Sequence, residues 1–119
     1  MNKLKIIIEN SDLVDTYPDF KALNVAKDII QKFKRGELSE FKISQEIMFD
    51  AFRVLVKEMW INPKHQVEFY FNDFFTDGDG NHYDDLMYIT MDKMGRYPEN
   101  YDMFPYAMDL VRDLVETLK

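Results

Sequence analysis

On a helical wheel, Glu46, Asp50, Arg53 and Lys57 of the segment 45–60 fall in one narrow polar stripe, and nearly every other position is apolar. Ile47, Met48, Ala51, Phe52, Leu55 and Met59 line one side, while Phe49, Val56 and Trp60 flank the stripe. A helix this apolar is covered on more than one side. The cover is either a sheet with a second helix or another copy of the chain, so a homodimer is one expectation. Asn62-Pro63 reads as the end of the helix, because proline cannot continue it.

The neighbouring segments supply the sheet. Residues 3–10, KLKIIIEN, open with alternation and contain three consecutive isoleucines, the pattern of a central strand. In 65–72, Val67, Phe69 and Phe71 alternate with Glu68, Tyr70 and Asn72, as in a half-buried strand opened by His65. In 83–92, Met87, Ile89 and Met91 alternate with Leu86, Tyr88 and Thr90, a natural return strand. Thr16-Tyr17-Pro18-Asp19 reads as a helix start with a capping box, and Phe20, Leu23, Ile30 and Phe33 follow at helical spacing up to the stop at Gly36. Residues 39–44 fit a short strand or an early helical turn. A last helix is expected after Asp102, with Met103, Ala107, Leu110, Val111, Leu114, Val115 and Leu118 in one stripe. The order β-α-(β)-α-β-β-α describes one α+β domain over 1–119. Its expected sheet has three to four strands, mainly antiparallel, packed with about three helices.

A chain of 119 residues suits one domain, and 46% apolar content is enough for a core. There is no cysteine, which excludes a disulfide framework, a thiol nucleophile and cysteine-based metal centres. No apolar run approaches the length of a membrane span, so no membrane partner is expected. Met1-Asn2-Lys3 leads directly into a strand-like run without an apolar leader core. Together with the missing cysteines this sets the expectation of a cytoplasmic protein.

Charge is unevenly placed. Residues 1–42 hold eight basic and seven acidic side chains, 43–66 hold three of each, and 67–119 hold four basic against twelve acidic. The net −7 therefore belongs to the second half, and 73–92 contain six aspartates with no Lys or Arg. A field of that sign repels phosphate backbones and attracts cations or basic protein surfaces. Within it lies FFTDGDGNHYDD, residues 74–85. Asp77, Asp79 and Asn81 match three ligand positions of an EF-hand, which makes them weak metal candidates. The pattern fails at His82, where glycine is needed, and at Tyr88, where a bidentate Glu is needed. Asp-Gly-Asp-Gly-Asn between two alternating runs is instead the tip of a β-hairpin. Phe74, Phe75 and Tyr83 beside Asp77, Asp79, Asp84 and Asp85 combine ring area with carboxylates, the composition of a surface that grips Lys/Arg-rich proteins.

No catalytic constellation is present in the sequence. Three serines and two histidines stand on no recognisable elbow, no Gly-Lys-Ser/Thr follows any glycine, and no motif implies a cofactor. Pro18-Asp19 with Glu40-Phe41-Lys42 matches the metal-nuclease pattern PD-(D/E)xK only superficially, because Asp19 opens a helix. Lys27, Lys32, Lys34 and Arg35 gather at one helix end, where cations complement the helix dipole. Against nucleic acid stands a pI near 4.7.

The first expectation is a non-enzymatic protein that binds a basic protein partner through the acidic, aromatic hairpin, in an inhibitor or immunity-type role. Small acidic bacterial immunity proteins, antitoxins, phage inhibitors and plasmid regulators share this general type, which is an analogy of class only. The second is a small regulator that uses Lys27, Lys32, Lys34 and Arg35 on RNA or DNA. The third is a metal-dependent activity at the Asp cluster.

Overall fold

A computed structural model describes residues 2–11, 13–73 and 75–98, with the backbone alone at Phe75 and Thr76. The described elements are β1 (Leu4–Ile8), a 3-10 turn (Asp19–Lys21), α1 (Ala22–Lys34), β2 (Glu40–Ile43), α2 (Glu46–Lys57), β3 (Val67–Asn72), β4 (Phe75–Thr76), β5 (His82–Tyr83) and β6 (Leu86–Ile89). The helix expected after Asp102 lies outside the described residues.

The fold is α+β, but the sheet is mixed, not mainly antiparallel. Its four strands run in the order β2-β1-β3-β6. The central β1 pairs in parallel with β2 (Ile6 opposite Phe41) and with β3 (Ile6 opposite Phe69). Only β6 is antiparallel, with Phe69 opposite Ile89 and Phe71 opposite Met87. The reason is connectivity: α1 joins β1 to β2 and α2 joins β2 to β3, and a strand that returns after a helix comes back in the same direction. Residues 39–44 resolve as β2, the strand that completes this alternation.

Alternation divides the sheet into two faces. Leu4, Ile6, Ile8, Ile43, Val67, Phe69 and Ile89 share one buried cluster with Ala22, Ala26, Ile29 and Ile30 of α1 and with Met48, Phe49, Phe52, Leu55 and Val56 of α2. The rings of Phe49 and Phe69 meet edge-on at 5.8 Å, and those of Phe41 and Phe52 at 6.2 Å. Each large side chain sealed there contributes about 1.5–3 kcal/mol, which makes this cluster the energetic centre. The sheet and α1 bury Met48, Phe49, Ala51, Phe52, Leu55 and Val56 of α2, while Ile47 and Val54 stay 37% and 42% exposed.

The first helix departs from its expected phase. Pro18 precedes a 3-10 turn, and no side chain caps it, so the capping box does not form. Three residues per turn instead of 3.6 shift the register. Phe20 is 80% exposed and Leu23 lies at the surface, while Ala22, Ala26, Ile29 and Ile30 face the core. The preceding loop is tied down elsewhere: Tyr17 N donates to Gln45 Oε1 at 2.8 Å, and Gln45 Nε2 donates to Tyr17 O at 2.9 Å.

The two described α-helices end alike, on different residues. Gly36 N donates to Phe33 O and Glu37 N to Lys32 O, with Gly36 at φ +76°. At α2, Met59 N donates to Val56 O and Trp60 N to Leu55 O, with Met59 at φ +63°. These are paired Schellman closures, one on glycine and one on methionine. The helix therefore stops at Lys57, ahead of Asn62-Pro63.

Candidate functional site

The acidic stretch begins where β3 leaves the sheet. Asp73 N donates to Asp85 O at 2.9 Å, and beyond that point the two-residue strands β4 and β5 pair, Phe75 opposite Tyr83 and Thr76 opposite His82. The expected hairpin is therefore present. The single return strand over 83–92 is divided instead, into β5, which pairs within the hairpin, and β6, which pairs with β3. His65 stands in the turn before β3 and does not open the strand.

The tip is built by Asp77. Its Oδ1 accepts Asp79 N at 2.9 Å and Asn81 N at 3.0 Å, and its Oδ2 accepts Asn81 Nδ2 at 3.3 Å and the Tyr83 hydroxyl at 3.0 Å. Gly80, at φ +84°, donates its N–H to Asp77 O. These donors, the Asn81 amide first, hold the Asp77 carboxyl below the ordinary Asp range. The same device recurs at Asp92. Its Oδ1 accepts Met94 N and Arg96 N, its Oδ2 accepts Arg96 Nε at 3.0 Å, and Gly95 closes the turn at φ +75°. The repeated signal, Asp followed three residues later by Gly, was open to sequence reading.

Two of the six aspartates are thus turn-builders, and one of these is also paired with an arginine. Asp73, Asp79, Asp84 and Asp85 are exposed, and among the described residues none of the ion pairs involves them. Of the expected anchors, Tyr83 is 45% exposed. Phe74 lies outside the described residues. Phe75 is placed by its backbone in β4, and its side chain is outside the description. As for a metal, Asp77 is occupied by the turn, and no group of three or more His, Asp or Glu side chains converges among the described residues.

Sequence reasoning missed two contributors. Leu86 and Tyr88 are 53% and 50% exposed on β6. They lie on the sheet face opposite the helices, where the Tyr88 ring meets Tyr70 at 5.6 Å. That face grades from charged to apolar across the described strands. Toward β2 it carries Lys42 paired with Glu9 at 3.6 Å, and on β3 Glu68 is paired with Lys3 at 3.5 Å. The Tyr70 hydroxyl donates to Glu68, which lowers the Glu68 carboxyl and pushes Tyr70 up to about 12. Toward β6 the face ends in Tyr88 and Leu86, next to Asp84 and Asp85 in the chain.

The cations of the second expectation are engaged within the fold. Lys27 Nζ lies over the Trp60 ring at 5.1 Å, Lys32 pairs with Asp28 at 3.1 Å, Lys34 donates to Trp60 O at 2.6 Å, and Arg35 forks onto Glu37. Glu40 and Lys42 stand on β2 while Asp19 opens the 3-10 turn, so context gives no support to the nuclease pattern. A cleft of about 570 Å³ at the end of α2 is lined by Val56, Lys57, Ile61, Lys93 and Met94 among others, with no carboxylate, imidazole or hydroxyl side chain among its described lining residues. Among the described residues no helix is long and apolar enough to cross a membrane. Comparison with protein families, with curated proteins and with solved structures yields no match.

Proposed function

We propose that this is a non-enzymatic binding protein that docks a basic protein on its hairpin and the adjoining β6 side, in an inhibitor or immunity-type role. One observation carries the reading: Asp73, Asp79, Asp84 and Asp85 are exposed outside any ion pair among the described residues, beside the half-exposed Tyr83, Leu86 and Tyr88. Carboxylates so placed steer a cationic surface and form charge-assisted bonds with it, while the rings and the leucine supply contact area. Asp77 serves the site indirectly, by holding the tip in shape.

The test leaves Asp77 intact and compares the native chain with the triple variant Asp79→Asn/Asp84→Asn/Asp85→Asn in titrations against basic proteins at low and high salt. A salt-sensitive complex weakened at least about tenfold in the triple variant, roughly 1.4 kcal/mol, is expected. Charge reversal at Lys27, Lys34 and Arg35 is expected to leave it unchanged. Equal binding by the triple variant defeats the proposal.

A further inference from the structure

We infer that the partner's contact segment is a basic extended strand that adds to the outer edge of β6; this rests on the docking reading above and specifies its mode. The bond from Asp73 N to Asp85 O sets the phase of the β3–β6 ladder. In an antiparallel pair, residues bonded to the partner strand alternate with residues whose main-chain groups turn away. Asp85, Met87 and Ile89 therefore address β3, and the N–H and C=O of Leu86 and Tyr88 address the outside. β6 ends the sheet order, and no main-chain bond reaches Leu86 or Tyr88 from that side among the described residues.

The two sheet edges are finished differently. At β2, the bonds Lys5 N to Ser39 O and Glu9 N to Ile43 O turn Phe41 inward to β1 and leave the main chain of Glu40 and Lys42 outermost. Both outward positions are charged, a common protection against strand addition. At β6 the outward positions are leucine and tyrosine, half-exposed, an edge that offers main-chain bonds and apolar contact area together. The occupant follows from charge. A second copy would bring Asp84 and Asp85 toward another acidic edge on a chain of net charge −7. A strand with Lys or Arg beside Asp84 and Asp85, and apolar side chains against Tyr88 and Leu86, meets the edge without that repulsion.

The probe is a synthetic alternating Lys–Val peptide of about six residues, the usual strand length, with a twin N-methylated at alternate amides. N-methylation keeps the side-chain charge and removes the N–H groups a ladder needs. Expected results with the full chain are binding of the plain peptide, at least about tenfold weaker binding of the twin, and slowed hydrogen exchange at Leu86 and Tyr88 on binding. Tyr88→Pro, which removes an N–H that β3 does not use, is expected to lose the peptide while Tyr88→Phe keeps it. Equal binding of both peptides overturns strand addition. So does slow exchange of these two amides in the free protein, which means the chain or a second copy already covers the edge. If the Asp79/Asp84/Asp85 triple variant loses binding while N-methylation has no effect, acidic docking stands and strand addition falls. If neither peptide binds the native chain, both fall.

Discussion

The Tyr83 hydroxyl donates to Asp77 Oδ2 at 3.0 Å, linking the end of the acidic hairpin to the residue that shapes its tip. Asp77 is thereby a structural anion, and its charge state governs the turn. Its carboxyl is held below the ordinary range chiefly by the Asn81 amide, with Tyr83 contributing. A depressed carboxyl contributes order that is present above its unfolded value and is lost as pH falls through the folded one. Proton NMR of the Asp79 and Asn81 amides is expected to report a transition below the usual Asp value of about 3.9. Tyr83→Phe is expected to move that transition upward, and Asp77→Asn to abolish it.

Tyr70 behaves in the opposite sense at the other end of the scale. Its bond to Glu68, with partial burial, pushes the hydroxyl from the ordinary 10.0 to about 12. The folded chain then keeps a proton that the unfolded chain releases, so this stabilisation is complete below pH 10 and is lost as pH rises toward about 12. Ultraviolet titration is expected to show one tyrosine ionising last, and Tyr70→Phe is expected to remove that step. The same variant is expected to raise the Glu68 carboxyl toward its normal value, with Lys3 at 3.5 Å holding part of the shift.

Legibility followed the range of each interaction. The triple isoleucine of β1 marked a central strand because both of its faces are buried: Ile6 and Ile8 face the helices, and Ile7, on the other face, is only 5% exposed. Alternation placed Val67, Phe69 and Ile89 in the core for the same local reason. Strand direction was lost because each strand was matched to its pattern alone, although helix-spaced returns already implied parallel neighbours. Phe20 and Leu23 were misplaced because a 3-10 turn changed the helical phase ahead of Ala22. At the candidate site, the aspartate cluster was visible as composition. The division between turn-building Asp77 and Asp92 and the remaining carboxylates needed coordinates, and so did the position of Leu86 and Tyr88, since edge status depends on sheet order across the whole chain.

Gly95 and Gly36 both adopt positive φ, yet their substitution is expected to cost different amounts. A Cβ on Gly95 meets Arg53 O at 2.5 Å, on the backbone of α2, whereas a Cβ on Gly36 meets nothing within 4 Å. Gly95→Ala combines the left-handed penalty of about 1–2 kcal/mol with crowding of about 1–3 kcal/mol. It also disturbs the bond from Arg53 Nε to Gly95 O at 2.7 Å, next to an Arg53–Tyr97 stack at 4.7 Å. Urea unfolding is expected to show a loss of about 3 kcal/mol for Gly95→Ala and about 1 kcal/mol for Gly36→Ala. Equal losses would show that the Arg53 contact is not what fixes residue 95.

Met59 carries a left-handed backbone that the equivalent closure on α1 assigns to glycine. Its side chain is 89% exposed, so little packing is at stake when it is removed. The left-handed conformation costs a non-glycine residue about 1–2 kcal/mol, and the extra unfolded-state freedom of glycine returns about 0.5–1 kcal/mol of that. Met59→Gly is therefore expected to stabilise the chain by about 0.5–1 kcal/mol. Met59→Ala keeps the backbone penalty and is expected to leave stability near the native value. Urea midpoints for the two variants, compared at constant slope, separate a backbone effect from a side-chain effect. The bonds Met59 N to Val56 O and Trp60 N to Leu55 O make no use of the methionine side chain. A gain confined to glycine locates the strain in the φ of residue 59, and a gain shared by alanine places it in the side chain.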